Sequence, residues 1–132
     1  MAPNPKIQFA RESLEVARLT FALMRNTNVA FFPGMRFSDA IELYYISMAI
    51  FIGHLEGRPL TVPKLARAVG YPRATLLRKV AALIEFGYVE RVGRFYHPSP
   101  GVNIPVYRSV LTRNVRMIVD TGKELSKMGS LT

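Results

Sequence analysis

Two short amphipathic segments, joined by Gly70-Tyr71-Pro72, constrain the fold of this chain more than any other feature. The first has one apolar face at spacings i, i+3, i+4 and i+7, formed by Val62, Leu65, Ala66 and Val69. Thr61 is its candidate N-cap, and a glycine ends it. The second begins near Pro72 and ends before Gly87, with a buried stripe of Leu76, Val80 and Leu83. Two short helices joined by a tight turn form a helix-turn-helix pattern.

A β-hairpin is predicted directly after the second helix, over residues 88–98. Strand-forming residues flank Gly93-Arg94, and a Gly-X pair suits a two-residue type II′ loop. A longer alternative would pair residues 89–92 with residues 106–110. The tight hairpin is preferred, with a loop over residues 98–105 after it.

Helical periodicity predicts three further helices. The first covers residues 7–26, and the second covers residues 39–55 with Ser38 or Asp39 as its N-cap. The second is apolar nearly all round, which indicates a central buried helix. The third covers residues 111–128, is capped by Thr112, and carries a stripe at spacings of 4, 3, 4 and 3: Leu111, Val115, Ile118, Gly122 and Leu125.

The first of these helices carries a seam at alternating spacings of 3 and 4, formed by Ile7, Ala10, Leu14, Ala17, Phe21 and Met24. Together with the stripe at the other end of the chain, this seam favours a homodimer joined by the terminal helices. The alternative is a first helix sunk more deeply in the core of its own domain.

The positive charge of the chain is concentrated in one segment. Residues 57–96 hold eight basic and two acidic side chains, a balance of 8 − 2 = +6, whereas residues 1–56 hold five of each and are neutral. A local basic surplus indicates a polyanionic partner. A solvated basic surface would have the same composition.

Composition and motifs argue against an enzyme. The chain has two histidines and no cysteine, and lacks the G-x-G-x-x-G, Walker A, H-E-x-x-H and G-x-S-x-G motifs. We therefore expect no catalytic residue, no metal ligand and no cofactor. The absence of cysteine agrees with a cytoplasmic protein, and the longest apolar run, residues 41–52, is too short to span a membrane.

The outward face of the second helix-turn-helix helix suits the major groove of duplex DNA, where Arg78 could contact guanine and Thr75 a base or a phosphate. Leu77 lies at the boundary of this face, where it could contact a thymine methyl group or pack on the preceding helix. Cations beside the face suit phosphates. The predicted DNA-binding residues are Lys64, Arg67, Tyr71, Arg73, Thr75, Leu77, Arg78, Lys79, Arg91 and Arg94.

The stretch Leu60–Pro100 resembles the winged helix-turn-helix of bacterial transcription regulators of the IclR and MarR families. The resemblance is carried by Leu65-Ala66, Pro72-Arg73-Ala74-Thr75, Arg78, Leu83 and Gly87-Tyr88-Val89-Glu90-Arg91. It implies that Thr75 and Arg78 contact bases and that Arg94 lies at the wing. Two helices before this motif and one after it resemble the MarR layout, in which terminal helices form the dimer.

We therefore expect a mainly α fold with a small β-hairpin wing, a winged helix-turn-helix with flanking dimerisation helices, in a single domain of residues 1–132. Residues 1–56 would form the N-terminal helices, 57–98 the helix-turn-helix and wing, and 99–132 the loop and C-terminal helix. The expected function is that of a homodimeric, sequence-specific regulator of transcription that binds double-stranded DNA. Helix 72–86 would enter the major groove and the wing would contact the backbone or the minor groove. The alternative is a winged-helix module that binds protein or RNA. A small-molecule effector is compatible with DNA binding.

Overall fold

The computed structural model describes residues 4–101 and 104–129. In chain order it contains helices α1 (Pro5–Phe31), α2 (Phe37–Leu55), α3 (Val62–Val69) and α4 (Arg73–Glu85), strands β1 (Val89–Val92) and β2 (Phe95–Pro98), and helix α5 (Ile104–Lys127). A helix-turn-helix followed by an antiparallel hairpin is a winged helix, so the predicted fold class is confirmed. Within the described ranges, none of the helices is both long enough and apolar enough to cross a membrane.

The chain divides into two compact units, of which the first comprises Met1–Pro33 and Ile104–Thr132. In this unit α1 and α5 pack along each other in opposite directions. Near the start of α1, Gln8 Nε2 donates a hydrogen bond to the carbonyl oxygen of Met128 at 3.2 Å. At its other end, the ring centroids of Phe31 and Tyr107 lie 6.3 Å apart. The unit is therefore a helical hairpin.

Helix α1 continues five residues beyond Asn26, where the sequence analysis ended it. The polar run Asn26-Thr27-Asn28 does not break the helix, because the side chains of Asn26 and Thr27 are hydrogen-bonded inside the unit. Thr27 Oγ1 donates to the Leu23 carbonyl at 2.9 Å, and Asn26 Nδ2 donates to Asn114 Oδ1 of α5 at 2.8 Å. Asn114 Nδ2 also approaches Thr27 Oγ1 at 3.4 Å. These polar contacts between the two helices fix their register.

Helix α5 starts at Ile104, seven residues before its predicted start. Pro105 is compatible with a first helical turn, since it lacks only an N–H that would have no partner there. Val110 is buried and Tyr107 contacts Phe31, so this first part of α5 is held by packing. The predicted Thr112 cap and the end of the 98–105 loop are therefore wrong, and so is the strand over 106–110. Residues 102–103 of that loop lie outside the described residues.

The second unit, Gly34–Asn103, contains α2. This helix begins at Phe37 with Arg36 as N-cap, so Ser38 and Asp39 lie in its first turn and neither caps it. One side of α2 is buried, through Ala40, Leu43, Ile46, Ile50 and Gly53. The opposite side leaves Ile52 and Leu55 exposed, at 53% and 67%. The predicted central buried helix is therefore buried on one side only, because α3, α4 and β2 of the same unit pack on that side.

Helices α3 and α4 pack on the buried side of α2 and on each other. Leu65, Leu76 and Leu83 are fully buried between these elements. Helix α4 ends in a Schellman motif: the Tyr88 N–H donates to the Leu83 carbonyl at 3.0 Å, and the Gly87 N–H donates to the Ile84 carbonyl at 3.0 Å. The left-handed conformation of this glycine, φ 84°, turns the chain into the hairpin.

Strands β1 and β2 form the predicted tight hairpin, in which Val92 pairs with Phe95 across the loop Gly93-Arg94. Gly93 has a φ of 61°, and no described residue other than glycine has a positive φ, as a type II′ loop requires. The hairpin is joined to the segment between α2 and α3, since the Tyr96 N–H donates to the Leu60 carbonyl at 3.0 Å.

Gly53 allows this joining segment to pack closely against α2. An added Cβ would lie 2.9 Å from the Arg58 carbonyl oxygen and 3.1 Å from Leu60 Cγ. We expect Gly53→Ala to lower the free energy of unfolding by about 1 kcal/mol in urea titrations, since about 1–3 kcal/mol of overpacking exceeds a propensity gain of about 1 kcal/mol. Gly122→Ala in α5 is the control, because its Cβ would meet nothing within 4 Å. An equal increase in the free energy of unfolding of both variants would contradict the close packing at Gly53.

Candidate nucleic-acid interface

The turn between α3 and α4 consists of Gly70, Tyr71 and Pro72. Gly70 adopts the left-handed conformation with φ 78°, and its N–H donates to the Ala66 carbonyl at 2.9 Å. Pro72 is the N-cap of α4 and no side chain caps this helix. The first-turn N–H groups of α4 are therefore left for solvent or for an anion such as a phosphate.

Helix α4 separates its anchoring residues from its outward residues. Leu76, Val80 and Leu83 are buried on one side. At ~100° per residue, Ala74, Arg78 and Ala81 lie on the opposite side, and all three are exposed. An exposed arginine between two methyl groups leaves room for a close approach to a groove. The outward side thus has the shape and charge of a surface that contacts a polyanion.

The exposed cations of the helix-turn-helix have no partner among the residues that the structure describes. Arg73 and Arg78 of α4, and Lys64 and Arg67 of α3, form no side-chain hydrogen bond or ion pair with any residue in the described ranges. All four are exposed. Their charges are therefore available to an outside anion.

Lys79 differs from its neighbours because its ammonium is engaged inside the unit. Lys79 Nζ forms an ion pair with Glu42 of α2, and it lies 5.7 Å from the centroid of the Tyr71 ring. Only 16% of the Lys79 side chain is exposed. The three groups connect α2, the turn and α4, so they position the helix whose outer side carries Arg78.

The remaining predicted residues of the helix-turn-helix have mixed exposure. Thr75 and Tyr71 are half-buried, so each presents only part of its side chain to solvent. Leu77 is 38% exposed at the edge of the outward side. Thr75 lies about one helical turn before Arg78, close to the N-terminus of α4.

The hairpin places two arginines near its tip. Arg91 Nε donates to the Gly93 carbonyl at 2.8 Å, which holds Arg91 against the loop. The Arg94 guanidinium carbon lies 5.3 Å from the Phe95 ring centroid, and the residue is exposed. At the foot of the hairpin, burial raises the pKa of the Tyr88 phenol, so this group stays neutral at physiological pH.

Two features of this surface were absent from the sequence analysis. Ala81 lies on the outward side of α4, and the buried stripe at 76, 80 and 83 was sufficient to place it there. The ion pair of Glu42 with Lys79 joins residues 37 positions apart, and periodicity within one helix carries no signal for such a contact.

A comparison with protein-family models matches residues 55–93 to the IclR helix-turn-helix domain. The matched segment includes α3, the turn, α4 and β1. No curated protein and no solved structure matches the chain. The fold and the family match indicate a helix-turn-helix domain of the class found in DNA-binding transcription regulators. The predicted resemblance to the IclR helix-turn-helix is thereby confirmed.

Proposed function

We propose that this protein is a sequence-specific transcription regulator that binds double-stranded DNA as a homodimer. Helix α4 would enter the major groove, and the β1–β2 hairpin would contact the backbone or the minor groove. The observation that carries the proposal is the outward side of α4, where Arg78 is exposed and unpaired within the described residues between Ala74 and Ala81. A DNA partner would place the protein in the cytoplasm.

Each predicted contact residue takes a role that follows from its surroundings. Arg78 would read a guanine through its O6 and N7 atoms, and Thr75 and Leu77 would contact neighbouring bases. Exposed cations around the groove would bind phosphates: Lys64, Arg67, Arg73 and Arg94. Because Lys79 and Arg91 are held by partners inside the protein, we assign Lys79 with Tyr71 to the orientation of α4, and Arg91 to the shape of the loop.

The exposed apolar surface of α1 supports dimerisation. The residues of α1 that face α5 include Gln8, Leu23 and Asn26, and at ~100° per residue the apolar seam lies on the opposite side of the helix. Its members Leu14 and Phe21 are 48% and 68% exposed. Exposed apolar side chains that recur along one side of a helix are typical of an interaction site.

Helix α5 has a similar outward stripe, in which Leu111, Val115 and Ile118 are 48–50% exposed. A two-helix hairpin with exposed apolar stripes on both helices leaves this apolar surface in contact with water. Two such hairpins can cover each other as a four-helix bundle. We therefore propose that residues 5–31 and 104–127 of two copies form the dimer interface, which corresponds to the MarR-like layout.

Two arginine variants test the assignment of α4 as the sequence reader. Arg78→Ala is expected to cost about 1–3 kcal/mol on a site selected from random duplex DNA, and much less on a scrambled duplex, because a base contact is lost. Arg94→Ala should weaken both duplexes evenly and reduce the salt slope by about one per subunit. Fluorescence anisotropy at two salt concentrations measures both effects.

The two variants are matched because both arginines are exposed. Neither substitution should change the free energy of unfolding by more than about 0.5 kcal/mol. Equal weakening of both duplexes by Arg78→Ala would show that α4 does not read the sequence. Mobility shifts with hairpin RNA and single strands are the second control. Tighter binding of hairpin RNA than of duplex DNA would favour the RNA-binding alternative.

A further inference from the structure

The two histidines of the chain meet on the surface of the Gly34–Asn103 unit. His54 is exposed in the last turn of α2, and His97 is half-buried on β2. Their Nδ1 atoms lie 3.0 Å apart, and their rings are nearly perpendicular, with centroids 5.2 Å apart. Residues 43 positions apart in sequence thus bring two imidazole nitrogens to one accessible point.

This contact requires that the two rings share one hydrogen. A neutral imidazole has one N–H donor and one lone pair, so one Nδ1 donates to the lone pair of the other. A centroid separation of 5.2 Å is close to the largest that a 3.0 Å nitrogen contact allows, so the rings point almost directly at each other. Without the shared hydrogen, the two nitrogens would be two free ligand atoms.

We propose that His54 and His97 form a binding site for a divalent transition-metal ion with high affinity for imidazole, such as Cu²⁺, Ni²⁺ or Zn²⁺. Two imidazole nitrogens bound to one ion at about 2.0–2.1 Å lie about 2.9–3.4 Å apart for bond angles between roughly 90° and 109°. The observed separation of 3.0 Å falls in this range. The ring that donates the shared hydrogen would change tautomer, so that its hydrogen lies on Nε2 and both Nδ1 lone pairs are open to the ion. Each ring would then turn by roughly 40° to aim its lone pair at the metal.

The remaining ligands would be water. No third His, Cys, Asp or Glu among residues 4–101 and 104–129 completes a group that could hold a metal ion. The site is therefore expected to be weaker than a four-ligand structural zinc site, and it should prefer Cu²⁺ and Ni²⁺ to Mg²⁺ and Ca²⁺, which bind oxygen ligands. The bound ion would connect the end of α2 to the hairpin, close to the contact of Leu60 with Tyr96.

The chain offers a clean test because it contains no other histidine and no cysteine. The untagged 132-residue chain is titrated with Ni²⁺ by calorimetry, beside His54→Gln, His97→Gln and the double variant. We expect one ion per chain, at least about tenfold weaker binding in each single variant, and background binding in the double variant. In excess Ni²⁺, the midpoint temperature of thermal unfolding should rise by several degrees in the wild type only, because the ion binds the folded state.

Electron paramagnetic resonance of the wild type with one equivalent of Cu²⁺ gives a readout that does not depend on the folding of a variant. Hyperfine structure from two imidazole nitrogens supports the site. Hyperfine structure from only one nitrogen, or from none, would overturn the proposal. Single variants that keep the wild-type affinity for Ni²⁺ would also overturn it, since the two rings would then not bind the same ion. Mg²⁺ at the same concentration is the control and should leave unfolding unchanged.

Discussion

The affinity of the protein for random duplex DNA is expected to fall by about 10³ to 10⁵ when the salt concentration rises from about 50 to about 200 mM. With about three to five phosphate contacts per subunit, a dimer would neutralise about six to ten phosphates and release their counterions. The slope of log K against log salt should then be on the order of −5 to −9. Fluorescence anisotropy over a salt series measures this slope.

The control for this prediction is a cation outside the proposed interface. Lys123 is exposed on α5, and Lys123→Ala should leave the slope unchanged, whereas Arg67→Ala on α3 should reduce its magnitude by about one per subunit. An affinity that does not respond to salt would rule out binding through phosphates. A slope that Lys123→Ala reduces as much as Arg67→Ala would place the DNA elsewhere on the protein.

Phe21→Glu is expected to raise the dimer dissociation constant by at least about 100-fold. The Phe21 side chain is 68% exposed in a single chain, so a charge at this position is solvated in the monomer but desolvated in the proposed bundle. Light scattering at micromolar concentration should change from about twice the chain mass of 14.9 kDa to the chain mass itself. The affinity of this variant for a two-fold symmetric DNA site should also fall, because a monomer would contact only one half-site.

Phe21→Leu is the matched control, because it keeps an apolar side chain in the seam and should keep the dimer. Both variants should retain the helical circular dichroism of the wild type. A wild-type protein that remains strictly monomeric at high concentration would contradict the dimer. A Phe21→Glu variant that remains dimeric would place the interface away from the α1 seam.

The helix-turn-helix and the hairpin could be predicted from sequence because local signals determine them. Gly70, Gly87 and Gly93 each occupy a left-handed position where a helix or strand must turn, and such positions strongly favour glycine. The buried stripe of α4 follows from periodicity alone. These signals act over a few residues, so the rest of the chain is not needed to recognise them.

The ends of the long helices could not be predicted because distant residues decide them. Asn26 and Thr27 resemble a stop signal, yet Asn114, 88 residues from Asn26, satisfies them within α1. The start of α5 likewise depends on the packing of Tyr107 against Phe31. The same reason applies to Lys79, whose position suggested a phosphate contact before its partner Glu42 on α2 was known.

The residues that anchor α4 are different from those on its outward side, and this separation bears on how the outward side can change. The residues that hold this helix in place are Leu76, Val80, Leu83 and, through Glu42, Lys79. The side chains at 74, 78 and 81 contribute nothing to that attachment, so substitutions there are free of a folding penalty beyond about 0.5 kcal/mol. Under the proposed reading of DNA by α4, new operator preferences could therefore be sampled, by drift or by library selection, without a loss of stability that a second mutation would have to restore.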